Sequence, residues 1–336
     1  MPKPAYWDYL RLETLLSLQD GLGDGDVSPD ELHFIIVHQT FELWFKLVLS
    51  QLRLARDQLA APRVPEETIP FVVHHLGRVN EILRLAVAQF AVMETLPPQD
   101  FLAFRDKLVP ASGFQSFQMR EMEILLGLTD DMRVDYAGTK PTEHIKGLKD
   151  QTVSGNYAWA HIEQARSEET LRSALGRWLA RTPIHGSQPG TSGDGARVDA
   201  FLEDYLARSR AHAEANAERL VSALGEADRP RIVERMEASQ AEIRTFLLPE
   251  DPTERRARAG LLFIESYRDL PLLAWPRLLL DHVVELEEQI LLLPSEGEAQ
   301  VSTGADGSGA TIRYSSDVST ATATGIRLAA VADFAF

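Results

Sequence analysis

Apolar residues return every three or four positions along residues 31–54, 66–90, 114–126, 198–224 and 229–248, with charged residues between them. That spacing predicts amphipathic helices, because only a period near 3.6 keeps such positions on one face. No comparable stretch alternates with the two-residue rhythm of a half-buried strand. The first long helix opens with Ser28-Pro29-Asp30-Glu31. Ser28 can cap, Pro29 takes the first helical position, where its missing N–H is not needed, and Glu31 reaches back. Asp251-Pro252-Thr253-Glu254 repeats this grammar. Leu270-Pro271 and Trp275-Pro276 are expected to break the chain before a last helix that runs to about Leu293 and stops at Pro294.

Between Thr182 and Ala196 glycine and proline are too frequent for a helix, which predicts a long loop, about residues 183–197, or a hinge between two helical halves. After Pro294 the chain turns to Ser, Thr, Gly and Ala, as in a loosely ordered tail or a strand-and-loop appendage. The expected organisation is an N-terminal arm (1–27), a helical domain (28–293) and a distinct tail (294–336).

With 336 residues, 44% hydrophobic and 25% charged, the chain can bury one large core or two modest ones, and disorder as its main state is excluded. Fifty acidic against 34 basic residues give a formal charge of −16, which repels a phosphate backbone and an anionic bilayer alike. Neither nucleic acid nor membrane is an expected partner. The absence of cysteine excludes disulfides, zinc–thiolate sites, iron–sulfur clusters, thiolate-ligated haem and a cysteine nucleophile. The first residues, Met1-Pro2-Lys3-Pro4-Ala5-Tyr6-Trp7-Asp8, lack the pattern of a signal peptide, so a cytoplasmic protein is expected.

Three segments hold candidate chemistry. On the first long helix His38 shares a face with Phe34, Ile35, Phe41, Glu42 and Phe45, so an imidazole is set in an apolar wall. It reads either as part of a pocket or as a core histidine satisfied by Glu42, one turn on. His33 lies off that face and reads as a surface residue. His74 and His75 diverge on a helix, which disfavours a joint metal site. In the second segment Arg120 shares a partly apolar face with Ser116, Phe117, Glu123 and Ile124. Its fork suits a carboxylate ligand, and equally a structural ion pair with Glu123. The third segment, Tyr6-Trp7-Asp8-Tyr9-Leu10, is an aromatic cluster that calls for a docking surface on its own core or on a neighbouring subunit.

Together, Tyr6-Trp7-Asp8-Tyr9-Leu10, Phe34-Ile35-Ile36-Val37-His38-Gln39-Thr40-Phe41-Glu42-Leu43-Trp44-Phe45-Lys46 and Ser112-Gly113-Phe114-Gln115-Ser116-Phe117-Gln118-Met119-Arg120-Glu121 closely resemble the tryptophan 2,3-dioxygenase family. The likeness runs in order from Tyr6 to about Gly127, and more weakly over 261–292, where Phe263-Ile264-Glu265-Ser266-Tyr267-Arg268 is similar to bacterial members. It implies an all-α, helical haem-dioxygenase fold, a helix bundle with an N-terminal arm, assembled as a homotetramer. The implied chemistry opens the indole ring of L-tryptophan with O2 on haem b, giving N-formylkynurenine. By the same resemblance His38 is the catalytic histidine that hydrogen-bonds the indole nitrogen, Phe34 and Val37 line the substrate, and Arg120 holds its carboxylate. Tyr6, Tyr9 and Leu10 reach into a neighbour's pocket.

The C-terminal part departs from the family pattern. The family's proximal haem histidine sits in an Arg-x-Arg-His stretch, followed by a Gly-Thr-Gly-Gly-Ser-x-Gly loop with a threonine near the substrate ammonium. Here Leu286–Leu293 is followed by Pro294-Ser295-Glu296-Gly297, and no His, Met or Cys occurs after His282. The iron ligand is therefore unassigned, with His282 and Tyr314 as candidates; His282 also reads as a surface residue beside Asp281 and Glu285. Thr303, in Ser302-Thr303-Gly304-Ala305-Asp306-Gly307-Ser308-Gly309, loosely matches the loop threonine. The alternatives are a haem-dependent monooxygenase acting on a modified tryptophan or other aromatic amino acid, and a haem-free binder of such ligands.

Overall fold

The computed structural model describes residues 3–21, 26–108, 115–128, 140–293, 300–303 and 310–313. The helices are α1 (Tyr6–Leu10), α2 (Leu12–Leu15), α3 (Pro29–Ala60), α4 (Ile69–Met93), α5 (Pro98–Leu108), α6 (Phe117–Leu126) and α7 (Pro141–Gly147). They continue as α8 (Gly155–Ser167), α9 (Leu171–Ala180), α10 (Asp194–Leu224), α11 (Arg229–Leu247), α12 (Pro252–Ser266) and α13 (Ala274–Leu292). A short antiparallel hairpin, β1 (Gln300–Thr303) and β2 (Ala310–Arg313), follows, with Gln300 opposite Arg313 and Thr303 opposite Ala310. The all-α class expected from the sequence holds, and the hairpin gives part of the tail the strand character that was one of its two readings.

Local chemistry sets the boundaries. Ser28 Oγ accepts from the Glu31 amide at 3.2 Å, Ser116 Oγ from Met119 at 3.2 Å and Asp251 Oδ1 from Glu254 at 2.8 Å, each satisfying a first-turn N–H that no helix carbonyl can reach. Gly127, with φ 99°, ends α6 in the left-handed conformation. Trp275-Pro276 corrects the expectation of a break. Both residues lie in the first turn of α13, where a proline nitrogen forfeits no intrahelical bond. Only Leu270-Pro271 interrupts the chain, with a 3₁₀ turn over Pro271–Leu273.

The described chain forms two compact units. The first holds Leu76–Glu168 with the chain up to Arg53 and the residues from Glu285 through the hairpin. Its core includes Phe41, Phe45 and Val48 from α3 and Leu83 and Phe90 from α4, the Phe41 and Phe90 rings lying 4.9 Å apart. Ile145, Trp159 and Ile162 make a second cluster, on which Phe117 and Ile124 seat α6.

The second unit holds Leu54–His75 and Glu169–Val284. Residues 183–193 are irregular, as expected, but α10 begins at Asp194, earlier than the 197 boundary, and the loop is pinned. Arg256 donates to the carbonyls of Thr182 and Ser187 and pairs with Asp194 at 3.3 Å, while Ser187 Oγ donates to Asp194 at 2.6 Å. Beside it α12 meets α9 backbone to backbone, and a Cβ added at Gly260 would lie 2.2 Å from the Leu179 carbonyl oxygen. Gly260→Ala therefore has to push the helices apart and is expected to cost about 1–3 kcal/mol or more. Thermal denaturation checks this; an unchanged Tm would show that the seam is looser than its geometry.

Candidate active site

Phe34 and His38 project from α3 one turn apart, with ring centroids 3.9 Å apart and planes tilted by 37°. Phe101 and Phe104 from α5 close around Phe34 at 5.8 and 5.6 Å. Val37 is buried, and its carbonyl accepts from Gln89 Nε2 at 3.1 Å, which ties α3 to α4. His38 Nδ1 lies 2.8 Å from the Phe34 carbonyl oxygen. A carbonyl can only accept, so Nδ1 carries the proton. Burial holds the imidazole below its ordinary value of 6.5, with the bond to Phe34 raising it in part and nearby His33 lowering it again. The ring is thus neutral at pH 7, and its Nε2 is an acceptor.

The core reading of His38, satisfaction by Glu42, is not what the structure contains. Its partner is one turn back, and Glu42 is taken by α6: Gln118 Nε2 donates to the Glu42 carbonyl at 2.8 Å and to its Oε2 at 2.7 Å. His33 also differs from the surface position expected. It is half-buried, and its Nε2 is out of water with no hydrogen bond among the described residues. His74 is exposed and His75 buried.

Arg120 is 6% exposed on α6. It meets the ion-pair reading, with Nη1 3.0 Å from Glu123 Oε2. Its Nε is nevertheless buried and makes no hydrogen bond among the described residues, leaving a charged donor unspent. The next residue, Glu121, is 2% exposed and held by Arg53 of α3, whose Nη2 lies 2.5 Å from Oε1, while His161 Nδ1 stands 3.4 Å from Oε2. Arg53 also grips Glu168 at the end of α8. Two polar ties thus join α3 to α6, one on each side of Arg120.

Tyr6 and Tyr9 are 71% and 83% exposed and Leu10 is exposed as well, so α1 does not bury its aromatics in its own unit. Thr303 sits at the end of β1, opposite Ala310. His282 is half-buried on α13 and already engaged, and Tyr314 and residues 112–114 lie outside the described residues. Sequence reasoning missed Phe101 and Phe104, whose i, i+3 spacing on an acidic-to-basic helix was the available signal, and the tie through Gln118, whose neutral amide gave none.

A model of the family described as tryptophan 2,3-dioxygenase matches residues 3–291. The chain belongs to the tryptophan 2,3-dioxygenase family. It is 40% identical over 305 residues to the tryptophan 2,3-dioxygenase 2 of Ralstonia nicotianae, the alignment covering 87% of this chain and 81% of that protein. The tryptophan 2,3-dioxygenase of Sorangium cellulosum is 41% identical over 303 residues (85% and 71% covered), and that of Dictyostelium discoideum 30% over 305 residues (85% and 71%). Tryptophan 2,3-dioxygenases are haem-dependent, and haem b is the cofactor expected for this chain.

The donor set fits one side of such a group: an apolar aromatic wall with a neutral imidazole whose Nδ1 is already committed. The sequence candidates for a residue that would hold the iron are His282, which is half-buried and already engaged, and Tyr314, which lies outside the described residues. Because the folded-state pKa of His38 is depressed, the unfolded chain takes up the proton first. The stability contributed by neutral His38 is complete above pH 6.5 and declines as pH falls below it. The His38 ring resonances are expected to titrate below 6.5 by NMR; a midpoint at or above that value would show a solvated ring.

Proposed function

We propose that this chain cleaves the C2–C3 bond of the L-tryptophan indole with O2, both oxygen atoms entering the product, N-formylkynurenine. The observation that carries the substrate reading is the state of His38: neutral, with Nδ1–H spent on Phe34, it offers an Nε2 lone pair to a donor such as the indole N–H. The unspent Nε of Arg120 suits the substrate carboxylate, since a charge-assisted bond there satisfies a buried donor at the same time. Phe34, with Phe101 and Phe104 behind it, gives the indole an aromatic face and excludes water, and Val37 backs the wall. Thr303 is assigned to the ammonium end. Haem b, when bound, supplies dioxygen activation; the protein orients the ring and fixes which end carries the carboxylate.

The working form is a homotetramer whose N-terminal arms bring Tyr6, Tyr9 and Leu10 to a neighbour's pocket. Two exposed surfaces support an assembly: the aromatic arm, and a stripe of Leu32, Ile36, Leu43 and Leu47 on α3. The stripe advances by four and seven residues, an eleven-residue repeat that stays on one face of a nearly straight helix. α3 is also long and apolar enough to cross a bilayer by length and composition. Glu42, Lys46 and Arg53 within it would be costly in lipid, so the stripe is assigned to a second copy of the chain in the cytosol.

Two measurements test this reading. With isotopically labelled dioxygen and the haem-reconstituted protein, the product is expected to contain two labelled oxygen atoms. One labelled atom would make the protein a monooxygenase, and failure to consume tryptophan would end the dioxygenase reading. In parallel, a Soret band is expected on reconstitution and should be lost in either His282→Ala or Tyr314→Phe; its persistence in both would place the axial ligand elsewhere.

A further inference from the structure

Phe101, Phe104 and Lys107 recur every three residues along α5, so they share one side of that helix. Lys107 Nζ donates to Glu31 Oε2, at the start of α3, at 2.6 Å, and the two rings meet Phe34 one turn further on. Glu31 is 4% exposed, whereas the lysine side chain is 48% exposed. The chain at Gly21 closes over the other carboxylate oxygen, since a Cβ added there would lie 3.5 Å from Oε1. Among the described residues Lys107 is the one cation paired with Glu31, and no other side chain of α5 makes an ion pair or a hydrogen bond. Strand β2 also runs beside α5, with no hydrogen bond between them among the described residues. We propose that Lys107 and Glu31 form a latch that holds α5 in register on α3, so that Phe101 and Phe104 stay behind Phe34 and the aromatic face offered to an indole is rigid.

The inference rests on the reading that the indole lies against Phe34. Contacts between apolar rings resist separation, but they are not directional and leave α5 free to slide or tilt. An ion pair at one end of the same face supplies the register that they lack. Its strength follows from the burial of Glu31, because a carboxylate out of water has to keep a cation or regain solvent. Lys107 stands half in water, so the path from Glu31 to solvent runs past the C-terminal end of α5. Removing the lysine therefore favours displacement of that end, which draws Phe104 and Phe101 from their places. Lys107 and Glu31 are positioning residues on this account and touch no ligand.

The test is calorimetric titration of the haem-reconstituted full chain with L-tryptophan and with tryptamine, which lacks the carboxylate, alongside thermal denaturation. Lys107→Met is expected to weaken both ligands alike, by about fivefold, because the ring wall serves both. Lys107→Arg keeps the charge and is expected to recover most of the affinity. Glu31→Gln, which strands no buried charge, serves if Lys107→Met does not fold, and a smaller fall in the same direction is expected. Adding Glu31→Gln to Lys107→Met should lower affinity no further, since one latch cannot be broken twice. Unchanged affinities with a lowered Tm would make the pair a structural tie and overturn the proposal. A fall for L-tryptophan alone would place the effect at the carboxylate end, and a fall that Lys107→Arg does not recover would not be the ion pair's; either also overturns it. Phe34→Leu separates the two levels. If it leaves tryptamine affinity unchanged, the reading of Phe34 as the indole's face has failed, whereas a loss there with unchanged affinity in the Lys107 and Glu31 variants removes the latch alone.

Discussion

A carboxylate taken out of water has to be met by a positive group or by donors, and in the first unit Glu121 imposes that condition. Arg53 answers it from α3, His161 stands near it from α8, and Glu168 in turn occupies the rest of the Arg53 fork. Three helices are thus ordered around one buried charge. Such an arrangement adds little net stability against an apolar replacement, yet losing one member would strand the others. It fixes how α6 is presented, and Arg120, the next residue on that helix, inherits its orientation.

The same economy governs His38 and Arg120. His38 turns one ring nitrogen inward to the Phe34 carbonyl, which leaves the other as an acceptor of defined direction. Arg120 pairs with Glu123 through Nη1, while its buried Nε makes no hydrogen bond among the described residues. Each side chain is half satisfied by the protein, so orientation is settled before any ligand arrives. A pocket of this kind has little reorganisation to undergo on binding.

Much of this was legible in the sequence where chemistry is local. The caps at Ser28 and Asp251, the long amphipathic helices and the glycine-rich loop all follow from neighbours a few residues apart. Phe34, His38 and Arg120 were singled out as candidates by helical spacing and family resemblance together. What escaped was non-local. That Glu42 turns to Gln118, 76 residues away, instead of to His38 depends on how two helices pack. Trp275-Pro276 was misjudged because a proline breaks a helix interior but suits a first turn, and the sequence does not say which turn it is in. His33 looked exposed because periodicity assigns faces relative to one core, whereas α3 has neighbours on several sides.

The α9–α12 seam carries a mechanical consequence. Where Gly260 lets backbone lie on backbone, no side chain stands between the helices to change rotamer and absorb a displacement. A displacement of one helix at this crossing therefore passes to the backbone of the other without a soft layer between them.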